Sequence, residues 1–195
     1  MIELKENDLV FAKVRPDAII PSKNTEDAGY DIYANFEEDY LVIPSNETVL
    51  VPTGIASAMT DKYYLNVAER GSTGKIGMKY GAGIVDSSYR GEIFVCLNNV
   101  SNKDIVISKL STEELIEKYG VKEDEFSLLS YNTNEHGGNV ILDDPSFTVV
   151  YPYSKAIAQL LVHEVPKMDI KEISYEELKQ IPSKRGTGSL GSSGK

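Results

Sequence analysis

Gly83-Ile-Val-Asp-Ser-Ser-Tyr-Arg-Gly91 leads, through Glu92, into the apolar run Ile93-Phe-Val-Cys-Leu97. A polar cluster held between two glycines and followed by a short β-rich segment reads as a tight turn feeding a strand. The rest of the chain repeats that pattern. Leu9-Val-Phe-Ala12, Leu41-Val-Ile43, Thr48-Val-Leu-Val51, Tyr63-Tyr-Leu-Asn-Val67, Phe147-Thr-Val-Val-Tyr151 and Ala156-Ile-Ala-Gln-Leu-Leu-Val162 are all short, and Pro, Gly and Asn punctuate them, as at Ile43-Pro-Ser-Asn46 and Val51-Pro-Thr-Gly54. Strands of this length at this spacing predict an all-β sandwich or barrel.

Two segments depart from it. Ser111-Thr-Glu-Glu-Leu-Ile-Glu-Lys-Tyr119 opens with Ser111 and Glu114 in capping-box spacing and stops at Gly120, which predicts a short helix. Ser174-Tyr-Glu-Glu-Leu-Lys-Gln180 repeats the start signal and predicts one or two turns before Pro182. Residues 1–182 are expected to form one β domain. Within it, about 102–146 reads as a surface insertion, because its apolar residues are too few for a core of their own. Residues 183–195, nearly all Gly, Ser and Thr, read as a mobile C-terminal arm.

Composition narrows the function classes. The 195 residues carry 20 Lys and Arg against 30 Asp and Glu, a net charge of −10. A sequence-independent grip on nucleic acid needs clustered cations, so no nucleic-acid partner is expected. A small phosphate ligand remains open, since a few cations, backbone N–H groups and a metal ion can hold it. Cys96 is the sole cysteine, which fits a reducing cytoplasm, and no apolar stretch has the length of a membrane span. His136 and His163 lack metal-ligand spacing with Cys96. Gly71-Ser-Thr-Gly-Lys75 invites a P-loop reading, but Glu69 stands where that motif needs Gly and Ile76 where it needs Ser or Thr.

Five polar clusters lie in order along the chain: Asp27-Ala-Gly-Tyr-Asp31, Glu69-Arg-Gly-Ser-Thr-Gly74, Gly83 to Gly91, Ser154-Lys-Ala-Ile-Ala-Gln159, and Arg185-Gly-Thr-Gly-Ser-Leu-Gly-Ser-Ser-Gly194. Any one alone would be a turn. Together, in this order and spacing, they resemble the five motifs of the trimeric dUTP diphosphatases, or dUTPases, which cut dUTP to dUMP and pyrophosphate.

The resemblance implies a β-clip jelly roll, a homotrimer with sites at subunit boundaries, and Mg²⁺ as cofactor. It implies that the Gly83–Gly91 stretch forms a β-hairpin whose backbone, at Gly83 and Ile84, reads the uracil edge. Tyr89 would pack on the sugar where a ribose 2′-hydroxyl needs room, and Asp86 would be the general base for a water attacking the α-phosphorus. An ordinary aspartate is only weakly basic at neutral pH, so positioning and the metal must supply most of the rate. Asp31 would act on the metal through its water shell, which suits an ion that dehydrates reluctantly. Arg70, Gly71, Ser72 and Gln159 would hold phosphates, with Lys155 nearby. Arg185, Gly188, Gly191 and Ser192 would close over the β- and γ-phosphates of a neighbouring subunit's site, and Leu190 would cover the base.

The chain departs from the family pattern at Glu69 and Gly71, where Pro and Ser are usual, before Lys155, and at Leu190, where Phe is usual. A rival of the same fold, dCTP deaminase, resembles its own members in a catalytic Glu ten residues after the hairpin Asp; Cys96 stands there and cannot replace a carboxylate. A rival of another class is a regulatory protein that engages a protein partner through the 102–146 insertion.

Overall fold

The computed structural model describes residues 3–119 and 148–187. The chain divides into two compact units, Met1–Val165 and Pro166–Lys195, so the division comes earlier than the boundary expected after residue 182. The last strand ends at Glu164, and beyond it no described residue is buried.

The described residues of the first unit form twelve strands and two short helices. In chain order they are β1 (Leu9–Lys13), β2 (Gly29–Ile32), β3 (Tyr40–Ile43), β4 (Thr48–Pro52), β5 (Ile55–Met59), β6 (Tyr63–Ala68), α1 (Gly71–Lys75), β7 (Met78–Gly81), β8 (Ile84–Val85), β9 (Phe94–Asn99), β10 (Asp104–Ser108), α2 (Thr112–Tyr119), β11 (Thr148–Pro152) and β12 (Ala158–Glu164). They form four sheets, in the orders β1-β5, β11-β10-β3, β2-β12-β6-β8 and β4-β9-β7. This is a jelly roll with open edges, and the described strands do not close into a barrel. Alternation drives the layering: β5 buries Ile55, Ser57 and Met59 and turns Ala56 and Ala58 outward. The inward rows meet in one core around Ile32, Ile43, Val51, Leu65, Met78, Val95, Leu97, Ile157 and Leu160. Each such side chain contributes about 1.5–3 kcal/mol of transfer free energy.

β10 corrects the expected insertion of about 102–146. Ile105, Val106 and Ile107 are fully buried, because this strand is central in its sheet and covered on both faces. Ile105 and Ile107 enter the main core, while Val106 packs in a second cluster with Tyr40 and Leu115. β10 runs antiparallel to β3 but parallel to β11. A parallel pair needs a crossover of a dozen or more residues, and residues 109–147 supply it. α2 begins that crossover as the sequence predicts: Ser111 N–H donates to Glu114 at 2.7 Å and Glu114 N–H to Ser111 at 3.2 Å. It lays Leu115 over Val106, and its last turn is tied to the chain before β3, where Lys118 and Tyr119 both reach the Asp39 carboxylate. Those hydrogen bonds hold Asp39 below the usual carboxylate range. Gly120 and the remainder of the expected insertion lie outside the described residues.

The second unit contains α3 (Tyr175–Gln180), with the predicted capping box of Ser174 and Glu177. No helix among the described residues is long and apolar enough to cross a membrane.

Candidate active site

Register gathers the site. In the sheet β2-β12-β6-β8, Gln159 of β12 lies opposite Asp31 of β2 on one side and Ala68 of β6 on the other. Cross-strand partners present their side chains to the same face, so Asp31 and Gln159 stand together. The chain leaving β6 after Ala68 then carries Glu69 and Arg70 over that face. Three clusters far apart in sequence meet in one polar cleft of about 430 Å³, lined by Asp31, Arg70, Gly71, Ser72 and Gln159, and by Asn24, Asp27, Ala28 and Gly29.

Arg70 organises the cleft. Its Nε lies 2.9 Å from Asp31 Oδ1 and its Nη2 3.2 Å from Oδ2, a fork that matches the carboxylate. Nη1 donates to the Ala156 carbonyl at 3.2 Å and lies 3.5 Å from Ser72 Oγ. Both partners of the pair keep about a third of their side-chain surface in solvent, so the fork is open on the cleft side. Asp31 is therefore the counter-ion that aims Arg70.

α1 is held from below by Thr73, which is fully buried. Its Oγ1 accepts from the Arg70 N–H at 3.2 Å and lies 2.9 Å from the Tyr80 hydroxyl, which itself donates to the Ile157 carbonyl. Burial pushes the Tyr80 hydroxyl up to about 12. Burial also raises Tyr151, whose hydroxyl donates at 2.7 Å to the Ala156 carbonyl that Arg70 uses. Gln159 Nε2 donates to the Glu69 carbonyl at 2.5 Å, and the side chain lies directly over Gly29. A Cβ at Gly29 would sit 2.6 Å from Gln159 Oε1, so close approach demands glycine there. Glu69, unusual at its position, is paired with Lys79 at 2.8 Å.

The Gly83–Gly91 stretch differs from a self-paired hairpin. β8 pairs with β6, through Leu65↔Val85 and Asn66↔Ile84, whereas β9 belongs to another sheet. The stretch is thus a loop bridging two sheets. Gly83 closes its first end: its carbonyl accepts from Val67 N–H at 2.7 Å, and a Cβ there would come within 2.8 Å of Val67 O. At its tip, Tyr89 N–H donates to the Asp86 carbonyl at 3.1 Å, leaving Asp86 exposed. The Tyr89 ring folds over Gly91, where a Cβ would lie 2.4 Å from its hydroxyl, and that hydroxyl donates to the Glu92 carbonyl at 2.9 Å. Ile84 and Tyr89 remain 60% and 46% exposed, large apolar surfaces that no described residue covers.

Asp31, Arg70, Gly71, Ser72 and Gln159 are brought together; Gly83, Ile84, Asp86 and Tyr89 do not line their cleft. Arg185 lies in the second unit, where Ser183 Oγ accepts from the N–H groups of Arg185 and Gly186 at 3.3 and 3.2 Å. Gly188, Leu190, Gly191 and Ser192 fall outside the described residues. Thr73, Tyr80 and Glu92 escape sequence reasoning because no spacing marks a residue that supports a site from beneath. No group of three or more His, Cys, Asp or Glu among the described residues could hold a metal by itself.

The family model dUTPase matches residues 15–111. The deoxyuridine 5′-triphosphate nucleotidohydrolase of Debaryomyces hansenii is 33% identical over 92% of this chain and 82% of its own length. Among solved structures, the Staphylococcus bacteriophage 80alpha dUTPase with dUPNHPP is similar with a TM-score of 0.64 at 18% identity, covering 95% of this chain and 98% of that one. A mutant dUTPase from phage phi11 of S. aureus, described with the coordination of a structural Mg(II) ion, has a TM-score of 0.56 at 16% identity, covering 86% and 97%. At those identities the likeness carries the fold.

Proposed function

The chain belongs to the dUTPase family, and from that premise we propose that it hydrolyses dUTP at the α-phosphorus to dUMP and pyrophosphate. The observation that supports this most is the Arg70 fork, held by Asp31 beside Ser72 and Gln159 in an open polar cleft. A guanidinium aimed by a carboxylate and exposed on one side is built to receive an anion of phosphate geometry.

The reaction is shared between copies of the chain. One copy offers Arg70, Ser72 and Gln159 for the phosphates. A second copy brings the Gly83–Gly91 loop, whose Ile84 and Tyr89 are exposed among the described residues and whose Asp86 stands clear of the cleft. In that arrangement Tyr89 fills the space of a 2′-hydroxyl, and Gly83 and Ile84 offer backbone groups to uracil. Asp86 Oδ accepts the proton of the attacking water as its oxygen reaches the α-phosphorus. The arm from Arg185 through Gly188, Leu190, Gly191 and Ser192 closes a neighbouring copy's site. A homotrimer is the closed assembly that satisfies all three.

Asp31 fits a Mg²⁺ ion held chiefly by substrate phosphates and water, since such an ion needs only one or two protein carboxylates. When bound, the ion neutralises charge on the triphosphate. Within a reducing cytoplasm Cys96 stays a thiol. Incubating the protein with each deoxynucleoside triphosphate, with and without Mg²⁺, and scoring pyrophosphate tests the proposal. Release from dUTP alone, dependent on Mg²⁺, is expected; ammonia from dCTP, or no pyrophosphate from dUTP, would reject it.

A further inference from the structure

The loop carrying Asp86 and Tyr89 is anchored at its far end by a network that core packing does not require. Glu92 comes directly after the loop, and only 12% of its side chain is exposed. Its Oε1 accepts from Gly54 N–H at 2.7 Å and from Thr53 N–H at 3.1 Å. Arg15 donates to both carboxylate oxygens, to Oε1 through Nη2 and to Oε2 through Nη1 at 3.3 Å. Arg15 is fixed in turn by Asn35, which is 2% exposed: Nε donates to Asn35 Oδ1 at 2.6 Å and Nη2 to the Asn35 carbonyl at 2.9 Å. Gly54, at φ +66°, brings the turn between β4 and β5 against Asn35 with no room for a side chain.

A carboxylate placed this deep is costly unless its oxygens are satisfied, and here Arg15, Thr53 and Gly54 satisfy them. The strands on either side do not need it. β9 pairs with β4 and β7 from Phe94 onward, and Ile93 is held separately through its N–H to Ile55 at 2.7 Å and its carbonyl from Thr53 Oγ1 at 2.6 Å. The Glu92 side chain ties its own backbone to the turn between β4 and β5, and the Glu92 carbonyl is the acceptor of the Tyr89 hydroxyl. Arg15, Glu92 and Tyr89 therefore form one chain of contacts from the frame of the fold to the loop tip.

We propose that Glu92, with Arg15 behind it, is a positioning residue that holds Tyr89 and Asp86 in the geometry of the reaction. The inference rests on the dUTP hydrolysis proposed above. Neither residue lines the cleft. They act through the loop, so their loss lowers turnover and sugar discrimination while β9 stays paired. A displacement near 1 Å at a reacting group costs about 10²-fold.

The test compares Glu92→Gln, Arg15→Met and Arg15→Lys in the full chain. Steady-state kinetics with dUTP and UTP are read beside hydrogen exchange of peptides covering residues 86–91 and of peptides covering the strands. Glu92→Gln and Arg15→Met should lower kcat for dUTP by about 10- to 100-fold with KM within about 3-fold. Both should narrow the preference for dUTP over UTP and speed exchange in residues 86–91 alone. Arg15→Lys, which keeps a cation beside Glu92 but loses the fork and the bonds to Asn35, should fall between wild type and Arg15→Met. Wild-type kcat and loop exchange in Glu92→Gln would overturn the proposal. So would faster exchange throughout the strands, which would make the network a support for the whole fold. Should the wild-type protein not hydrolyse dUTP, the functional reading fails, yet the exchange comparison still decides whether Glu92 and Arg15 hold the loop.

Discussion

Replacing Gly29 by Ala puts one methyl group where the cleft has no space for it. The backbone there is not left-handed, so the effect is steric. The new Cβ would lie 2.6 Å from Gln159 Oε1, 2.9 Å from its Cβ and 3.0 Å from its Cδ. Rotating the side chain relieves the first and third contacts but not the second, because Gln159 Cβ is fixed by β12, paired with β2 and β6 at that residue. Carbon atoms settle at about 3.5–4.0 Å, so the strands must part by roughly 0.6–1.1 Å. Overpacking of that kind costs about 1–3 kcal/mol, and losing the Gln159 bond to the Glu69 carbonyl adds about 1 kcal/mol. The melting temperature should fall by roughly 4–16 °C. With Gln159 displaced and Asp31 moved relative to Arg70, kcat/KM for dUTP should fall by about 10- to 100-fold. Calorimetry and steady-state kinetics measure the two effects separately. Adding Gln159→Gly removes the obstructing atoms, so the double variant should regain stability but not activity. A Gly29→Ala protein with wild-type melting and kinetics would refute the assignment of Gln159 to the cleft.

Asp86→Asn should bind dUTP within a few fold of wild type yet turn it over about 10²-fold or more slowly, since general-base loss is worth about 10²–10⁴; single-turnover kinetics check this. Tyr89→Ala should let UTP compete better, read as the ratio of kcat/KM values for dUTP and UTP. Truncation before Arg185 should abolish most activity with little change in melting, because residues 183–187 bury nothing; mixing that protein with Asp86→Asn under subunit exchange should restore up to roughly a quarter of sites in a closed trimer. Burial raises Tyr80 to about 12 from 10.0, so the stability it protects is complete below pH 10 and is lost as pH rises through its folded value. Alkaline denaturation should show a loss of about 2 kcal/mol by pH 12 that Tyr80→Phe removes.

Legibility in the sequence depends on the kind of signal each residue carries. Strands whose apolar residues make a short run, such as β4 with Val-Leu-Val and β9 with Phe-Val-Cys-Leu, declare themselves, as do both capped helix starts through their Ser and Glu spacing. β5, with Ala-Ser-Ala at its centre, and β7, Met-Lys-Tyr-Gly, carry no such run and exist because their partners recruit them. β10 has a run of three apolar residues between two polar ones, which reads equally as a short surface strand or as a strand buried on both faces; only the parallel pairing with β11 decides it. In the site, Asp31, Arg70, Ser72 and Gln159 are legible from their clusters and do converge. The Arg70 fork onto Asp31 is not legible, because it depends on the register of β2 with β12 and on the exit of the chain from β6. Thr73, Tyr80, Arg15 and Glu92 act from beneath or behind, through bonds to backbone groups distant in sequence, and nothing in their own neighbourhoods marks them.

Attack of water on the α-phosphorus places the solvent oxygen on dUMP, whereas attack on the β-phosphorus places it on pyrophosphate. Hydrolysis of dUTP by this protein in ¹⁸O-labelled water, followed by mass spectrometry of both products, should give one labelled oxygen in dUMP and none in pyrophosphate. Label in pyrophosphate would contradict the account.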